Sequence, residues 1–271
     1  MEGDYIMPEL PDVEVFRQYM NSTSLNKKIT DIPVAEKDIL KGASGKRLKK
    51  SLKSQSFTET TRHGKFLFAL LDNDMYVGFH FGMTGFLQYY KSEDTKPGHV
   101  RFLVEFSNGY HLAFDCQRKL GNIRLVKDLE KFIEKEKLGP DALSEDFSLN
   151  DFMEALKGRR GAIKSTMMNQ NIMAGVGNVY SDEIFFQVGM DPSAPVNKLK
   201  PKTVKELYHK MKEVLKTAID SGADPEKFPK GYFLPLRYKG EECPRCGKTL
   251  KAKKVSGRTA IYCPKCQKRK T

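Results

Sequence analysis

Four cysteines near the C-terminus constrain this chain more tightly than any other feature: Cys243, Cys246, Cys263 and Cys266 form the pattern C-x2-C-x16-C-x2-C. Two thiolate pairs at that separation match a tetrahedral four-sulfur zinc site. Disulfides are the alternative use of the four thiols, but paired Cys-Pro-x-Cys turns in a chain read as intracellular favour metal. With sulfur in every position the ion has no open coordination site, so one structural zinc is expected. Between the pairs, LKAKKV, Ser256-Gly257 and RTAIY read as a hairpin with Arg258 at its tip, a solvated arginine or a ligand contact. The fifth cysteine, Cys116, reads as a buried apolar residue.

Charge singles out the same region. Residues 243–271 hold ten Lys or Arg and no Asp or Glu, whereas residues 1–242 hold 37 basic and 34 acidic residues. Most of the formal net charge of +13 therefore sits on the cysteine-bearing tail, an electrostatic footprint for a polyanion, nucleic acid above all. At 271 residues, 39% hydrophobic and 30% charged, the chain is long enough for two domains with cores. Its longest apolar run, residues 66–71, is too short to span a bilayer. Glu2 and Asp4 stand where a secretory signal carries positive charge, so the expected location is cytoplasmic, with nucleoid association in a prokaryote, and no membrane partner.

The patterning changes along the chain. From about Ile29 to Val126 it is strand-like: FLFALL and MYVGFHF flank Asp72-Asn73-Asp74, and VRFLVEF and YHLAF flank Ser107-Asn108-Gly109. Two such hairpins after one helix predict a β-sandwich. A charged stretch over 127–137 leads through Gly139-Pro140 into a helical half. There Ser148 and Asp151 form a capping-box-like start, and Val204, Leu207, Tyr208, Met211, Leu215 and Ala218 trace one helix face. Gly175-Val176-Gly177-Asn178 precedes another helical stretch, and glycines at a helix start let backbone amides approach a phosphate.

Met7-Pro8-Glu9-Leu10-Pro11-Asp12 supports two readings. One is a stiff entry into a first helix with Pro11 in its first turn and Val13, Phe16 and Met20 on one face. The other is chemical: if processing leaves Pro8 first, its nitrogen is a secondary amine. An α-amino group titrates near 8 against about 10.4 for lysine, so on the order of a tenth of it is neutral and nucleophilic at pH 7. Such an amine condenses with an aldehyde carbon to an iminium, and Glu9 beside it is a carboxyl for proton transfer. On this reading Met7 is the initiator and residues 1–6 are a mis-called extension, because an acylated Pro8 nitrogen has no lone pair to give.

Five segments taken together, PELPDVE, RHGKFLF, HFGMTG, IKSTMMNQNIMAGVGNVYSDEIF and GRTAIYCPKCQ, resemble the formamidopyrimidine-DNA glycosylase family, which includes the endonuclease VIII enzymes, in order and spacing from Met7 to about Lys268. The resemblance implies an α+β multidomain protein with an N-terminal β-sandwich (7–130), a linker (131–147), a helix-two-turn-helix domain (148–232) and a C-terminal β-hairpin zinc finger (233–271). It implies a monomer acting on double-stranded DNA that contains damaged bases or abasic sites. Such enzymes extrude the damaged nucleotide, remove the base and nick the strand by β,δ-elimination. Carried onto this sequence, Pro8 resembles the nucleophile on sugar C1′ and Glu9 the acid that opens the sugar ring. Lys65, Asn178 and Arg258 resemble phosphate clamps, and Lys164 falls among the DNA-binding positions.

Three departures bear on the substrate. Asp12 stands where the family usually has Glu. The usual DPRRFG loop reads Asp115-Cys116-Gln117-Arg118-Lys119-Leu120-Gly121, one residue longer. Met83 and Leu120 are then the apolar wedges, and either Arg118 or Lys119 fills the space beside the orphaned base. In place of the Gly/Thr-rich segment that closes over 8-oxoguanine stands SGADPEKFPKGYFLPLR (221–237). The alternatives are accordingly an enzyme for oxidised pyrimidines or hydantoins, or a non-catalytic lesion-binding paralogue if residues 1–6 are retained.

Overall fold

The two hairpins form where alternation and turn residues place them. β4 (Phe66–Leu71) and β5 (Tyr76–His80) pair antiparallel around a turn in which the Asn73 Oδ1 accepts from the Met75 amide. β7 (Val100–Phe106) and β8 (His111–Cys116) pair around Asn108, whose Oδ1 accepts from the Tyr110 amide. This computed structural model describes residues 7–270, so the proposed extension over residues 1–6 lies outside the described residues. Its described residues divide into two units, one joining residues 7–8 to residues 12–136 and the other joining residues 9–11 to residues 137–270.

The first unit is a two-sheet sandwich with α1 (Leu10–Thr23) entering it at Asp12. One sheet has the order β1-β7-β8-β6, with β1 Ile29–Ala35 and β6 Gly85–Tyr90. The other runs β2-β9-β5-β4-β3, with β2 Leu40–Lys41, β3 Phe57–His63 and β9 Asn122–Val126. Their facing side chains make the core, where the Phe79 ring lies 6.3 Å from Phe102 and 6.2 Å from Phe114. A short α2 (Gly45–Leu52), capped by Ser44, adds Leu48 and Leu52 to it. The charged stretch 127–137 contains α3 (Leu129–Lys135), capped by Asp128, and its Phe132 ring covers Phe66 and Phe68 at 5.3 Å each. That cover explains why β4 is buried along nearly its whole length rather than on alternate residues.

The second unit is helical with a small hairpin. α4 (Leu149–Leu156) starts on the reciprocal Ser148–Asp151 capping box, α5 (Ile163–Met167) is a single short turn, and α7 (Pro201–Asp220) starts on Pro201. These pack on α6 (Asn178–Val188), which is buried on nearly every side. β10 (Lys251–Val255) and β11 (Arg258–Tyr262) form the hairpin between the cysteine pairs, turning at Ser256 (φ 48°) and Gly257 (φ 79°) as a type I′ turn does. Phe186 and Phe233 pack with Leu250, Ile261, Cys243 and Cys263, so the hairpin shares a core with α6.

Candidate functional site

Pro8 lines a cleft of about 430 Å³ in the first unit, together with Asp12, Phe16, Met83, Thr84, His99 and Gln117. Sequence order alone separates Pro8 from Met83 by a sandwich strand system; folding brings them to one wall. Lys65 stands half-buried in the two-residue turn between β3 and β4. Asp12, one of the departures noted above, is a wall residue of the same cleft.

Glu9 has no solvent exposure. Its carboxylate accepts hydrogen bonds from the amides of Gly177 at 2.7 Å, Val179 at 2.8 Å and Tyr180 at 3.3 Å. The N-terminus of α6 thus holds an internal carboxylate, where the glycine pattern alone had pointed to a phosphate. The Gly175 carbonyl completes the grip by accepting from the Leu10 amide at 3.1 Å. Only glycine fits at 175: its φ is +117°, and a Cβ there would lie 2.4 Å from Leu10 Cδ1.

Lys164 departs from the expectation of a side chain on DNA. Both it and its partner Asp182 have fully buried side chains, paired at 2.5 Å, and the ammonium also donates to Ser181 Oγ and the Asn178 carbonyl. Burial pulls its pKa down and Asp182 opposes that shift. The other Asp182 oxygen accepts from the Arg237 guanidinium at 2.7 Å and from the Ile261 amide at 3.1 Å. Lys164 therefore organises the start of α6 and ties it through Asp182 to β11, without an accessible charge of its own. Asn178 opens α6 half-buried, and its Oδ1 has no hydrogen-bond partner among the described residues. Arg258 is exposed at the hairpin tip.

The loop after β8 carries three predicted residues in different settings. Arg118 is exposed, its amide donates to Thr84 Oγ1 at 3.2 Å, and its guanidinium has no ion-pair partner among the described residues. Lys119 instead pairs with Glu36 at 2.8 Å and approaches Asp38 at 3.6 Å. Leu120 is 51% exposed. Cys116 is buried, as expected, and its Sγ accepts from the Gly121 amide at 3.4 Å.

The four C-terminal sulfurs lie within 4.8 Å of one another, with Cys243 to Cys266 at 3.8 Å and Cys246 to Cys263 at 3.6 Å. A tetrahedron of sulfurs about 2.3 Å from zinc has edges of about 3.8 Å, whereas a disulfide needs about 2.05 Å. The residues therefore fit one structural zinc, which would supply cross-linking and no reactive position. Sequence reasoning missed Asp182, Arg237, Glu36 and Arg101. None has a spacing signal, since each acts through a partner distant in sequence.

Residues 7–123 match the formamidopyrimidine-DNA glycosylase N-terminal domain, 138–229 the formamidopyrimidine-DNA glycosylase H2TH domain, and 240–269 a zinc finger found in FPG and IleRS. The formamidopyrimidine-DNA glycosylase of Syntrophomonas wolfei is 32% identical, covering 96% of this chain and 100% of its own. That of Lactobacillus delbrueckii subsp. bulgaricus is 33% identical, covering 97% and 100%. Among solved structures, the Lactococcus lactis formamidopyrimidine-DNA glycosylase bound non-covalently to DNA containing an AP site superposes with a TM-score of 0.87 at 27% identity, over 96% of this chain and 100% of that one. Its complex with a FAPY-dG containing DNA gives 0.87 at 28% identity with the same coverage.

Proposed function

The chain belongs to the formamidopyrimidine-DNA glycosylase family, and from that premise we propose that it is a bifunctional glycosylase and abasic-site lyase that removes oxidised bases from duplex DNA. The observation that carries the reading is Pro8 on the wall of an open cleft, followed by a carboxylate locked to the start of α6.

With Pro8 as the first residue, its neutral secondary amine attacks C1′ of an extruded nucleotide, and the C1′–N bond to the base breaks with the electron pair leaving on the base. Proton transfer opens the sugar ring, the role proposed for Glu9, and the amine nitrogen and C1′ form an iminium. The positive nitrogen acidifies the C2′ proton, whose loss expels the 3′ phosphate; a further proton loss expels the 5′ phosphate. Addition of water to the remaining iminium releases the sugar remnant as an unsaturated aldehyde and frees the amine. Lys65, Asn178 and Arg258 are proposed to hold backbone phosphates, and Met83 and Leu120 to fill the space left by the extruded nucleotide.

The test is single-turnover incubation with a lesion-containing duplex. Base release should be accompanied by a one-nucleotide gap bearing phosphate at both ends. Base release from an intact strand would leave a glycosylase without the lyase steps.

A second reading concerns the lesion. Segment 221–237 is not a free flap: Phe228, Tyr232 and Leu234 join the helical core, and Glu183 accepts from the Phe233 and Leu234 amides at 2.9 and 2.8 Å. A segment so anchored supports preference for hydantoins or oxidised pyrimidines over 8-oxoguanine, because the polar groups that close over a purine have no counterpart in it. Excision rates on a panel of lesions test this; exclusive 8-oxoguanine excision would contradict it.

A further inference from the structure

In the loop between β8 and β9 the backbone turns at Lys119 through the left-handed region, with a φ of +52°. A residue with a Cβ takes up that backbone reluctantly, so something must hold it there. Glu36, the residue after β1, supplies the hold. One carboxylate oxygen meets Arg101 at 2.9 Å and the other meets Lys119 at 2.8 Å. Arg101 in turn donates from Nε to the Cys116 carbonyl at 3.2 Å, the same oxygen that accepts from the Lys119 amide at 3.2 Å. These bonds close a ring: Glu36, Lys119, Cys116, Arg101 and back to Glu36.

Other interactions fix the loop from its second side. Thr84 accepts from the Arg118 amide, Cys116 Sγ accepts from the Gly121 amide, and Gly82 sits so close that a Cβ on it would lie 2.4 Å from the Leu120 carbonyl carbon. The loop therefore presents two neighbouring cations differently. Lys119 is turned back onto Glu36 and Asp38, while Arg118 stands exposed with no ion-pair partner among the described residues.

We propose that Glu36 and Arg101 are positioning residues of this loop, holding Lys119 back so that Arg118 and not Lys119 reads the base left unpaired opposite the lesion. The inference rests on the glycosylase reading given above. Lone exposed ion pairs hold little. Here one carboxylate joins two cations, one of them belonging to the loop and the other donating to the Cys116 carbonyl at its start, so the network sets a geometry.

The measurement is the ratio of single-turnover excision rates for one lesion placed opposite cytosine and opposite adenine. Arg118→Gln should lower that ratio about tenfold, the size of one good arginine–base interaction. Glu36→Gln and Lys119→Gln should each lower it about fivefold, and the double variant should lower it no further than either single change, because all three break one latch. Lys119→Arg should retain the wild-type ratio. Borohydride trapping of Glu36→Gln on preformed abasic duplex should match wild type, which separates loop placement from misfolding. Loss of the ratio in Lys119→Gln with Glu36→Gln unaffected would overturn the inference, making Lys119 the base-reading residue itself. An unchanged ratio in both, or a wild-type ratio near one, would overturn it as well. A wild-type chain that neither excises a base nor traps abasic DNA would instead bring down the glycosylase reading and the inference with it.

Discussion

At the scale of residues, the most informative carboxylate is Glu9, because a helix N-terminus and the start of the chain meet on it. Glu9→Gln puts an amide donor opposite backbone donors. Leaving one of those buried N–H groups unpaired costs about 1–3 kcal/mol, so the variant should unfold at lower denaturant concentration than wild type. If Glu9 also opens the sugar ring, the variant should lose base removal far more than cleavage of a preformed abasic site; equal loss on both substrates would argue against that role. Gly175→Ala should be more damaging still, since the added carbon overlaps Leu10. Glu9 was legible in the sequence as a carboxyl beside Pro8. The partners of Glu9 were not, because they lie 168 to 171 residues away. Lys164 shows the opposite difficulty: a lysine in a recognisable segment reads as a surface cation until Asp182, on the next helix, is seen to bury it.

Elements carry the pH and metal responses. His80, the last residue of β5, is held down to about 4, first by burial and then by the positive charges of Lys65, Arg124 and Lys41. Its Nδ1 accepts from the Gly82 amide at 3.3 Å, just before Met83, which requires the unprotonated nitrogen. In the unfolded chain the ring titrates near 6.5, so the folded state binds its proton later than the unfolded state does. This contribution to stability is present above pH 6.5 and is lost as pH falls through 4, amounting to about 3 kcal/mol by linkage. Urea midpoints should fall across that window in wild type and fall less in His80→Gln; identical profiles would contradict the assignment. For the finger, chelation of zinc or Cys263→Ser should weaken DNA binding before the sandwich loosens, since the hairpin takes its fold from the metal and from Phe186 and Phe233. DNA affinity that survives zinc removal with its salt dependence intact would contradict this. Hairpins, caps and cysteine spacing were readable because each follows a rule confined to a few residues. α3 was not, since four of its seven residues are charged and Phe132 alone of them is buried.

For the whole molecule, the uneven charge is the property that matters: most of the +13 resides in the last 29 residues, beside the exposed Arg258. Binding to undamaged duplex should therefore fall steeply with salt, and removing basic residues from the hairpin should flatten that slope by about 0.9 for each phosphate no longer neutralised. The central claim is the proline amine, and its most direct measurement is borohydride reduction during turnover on abasic DNA, followed by peptide mapping of the cross-linked protein. A sugar remnant is expected on the nitrogen of a chain that begins at Pro8, with none on chains that retain residues before it. A remnant on Lys65 or another lysine, or equal trapping by chains in which Pro8 is still acylated, would contradict it.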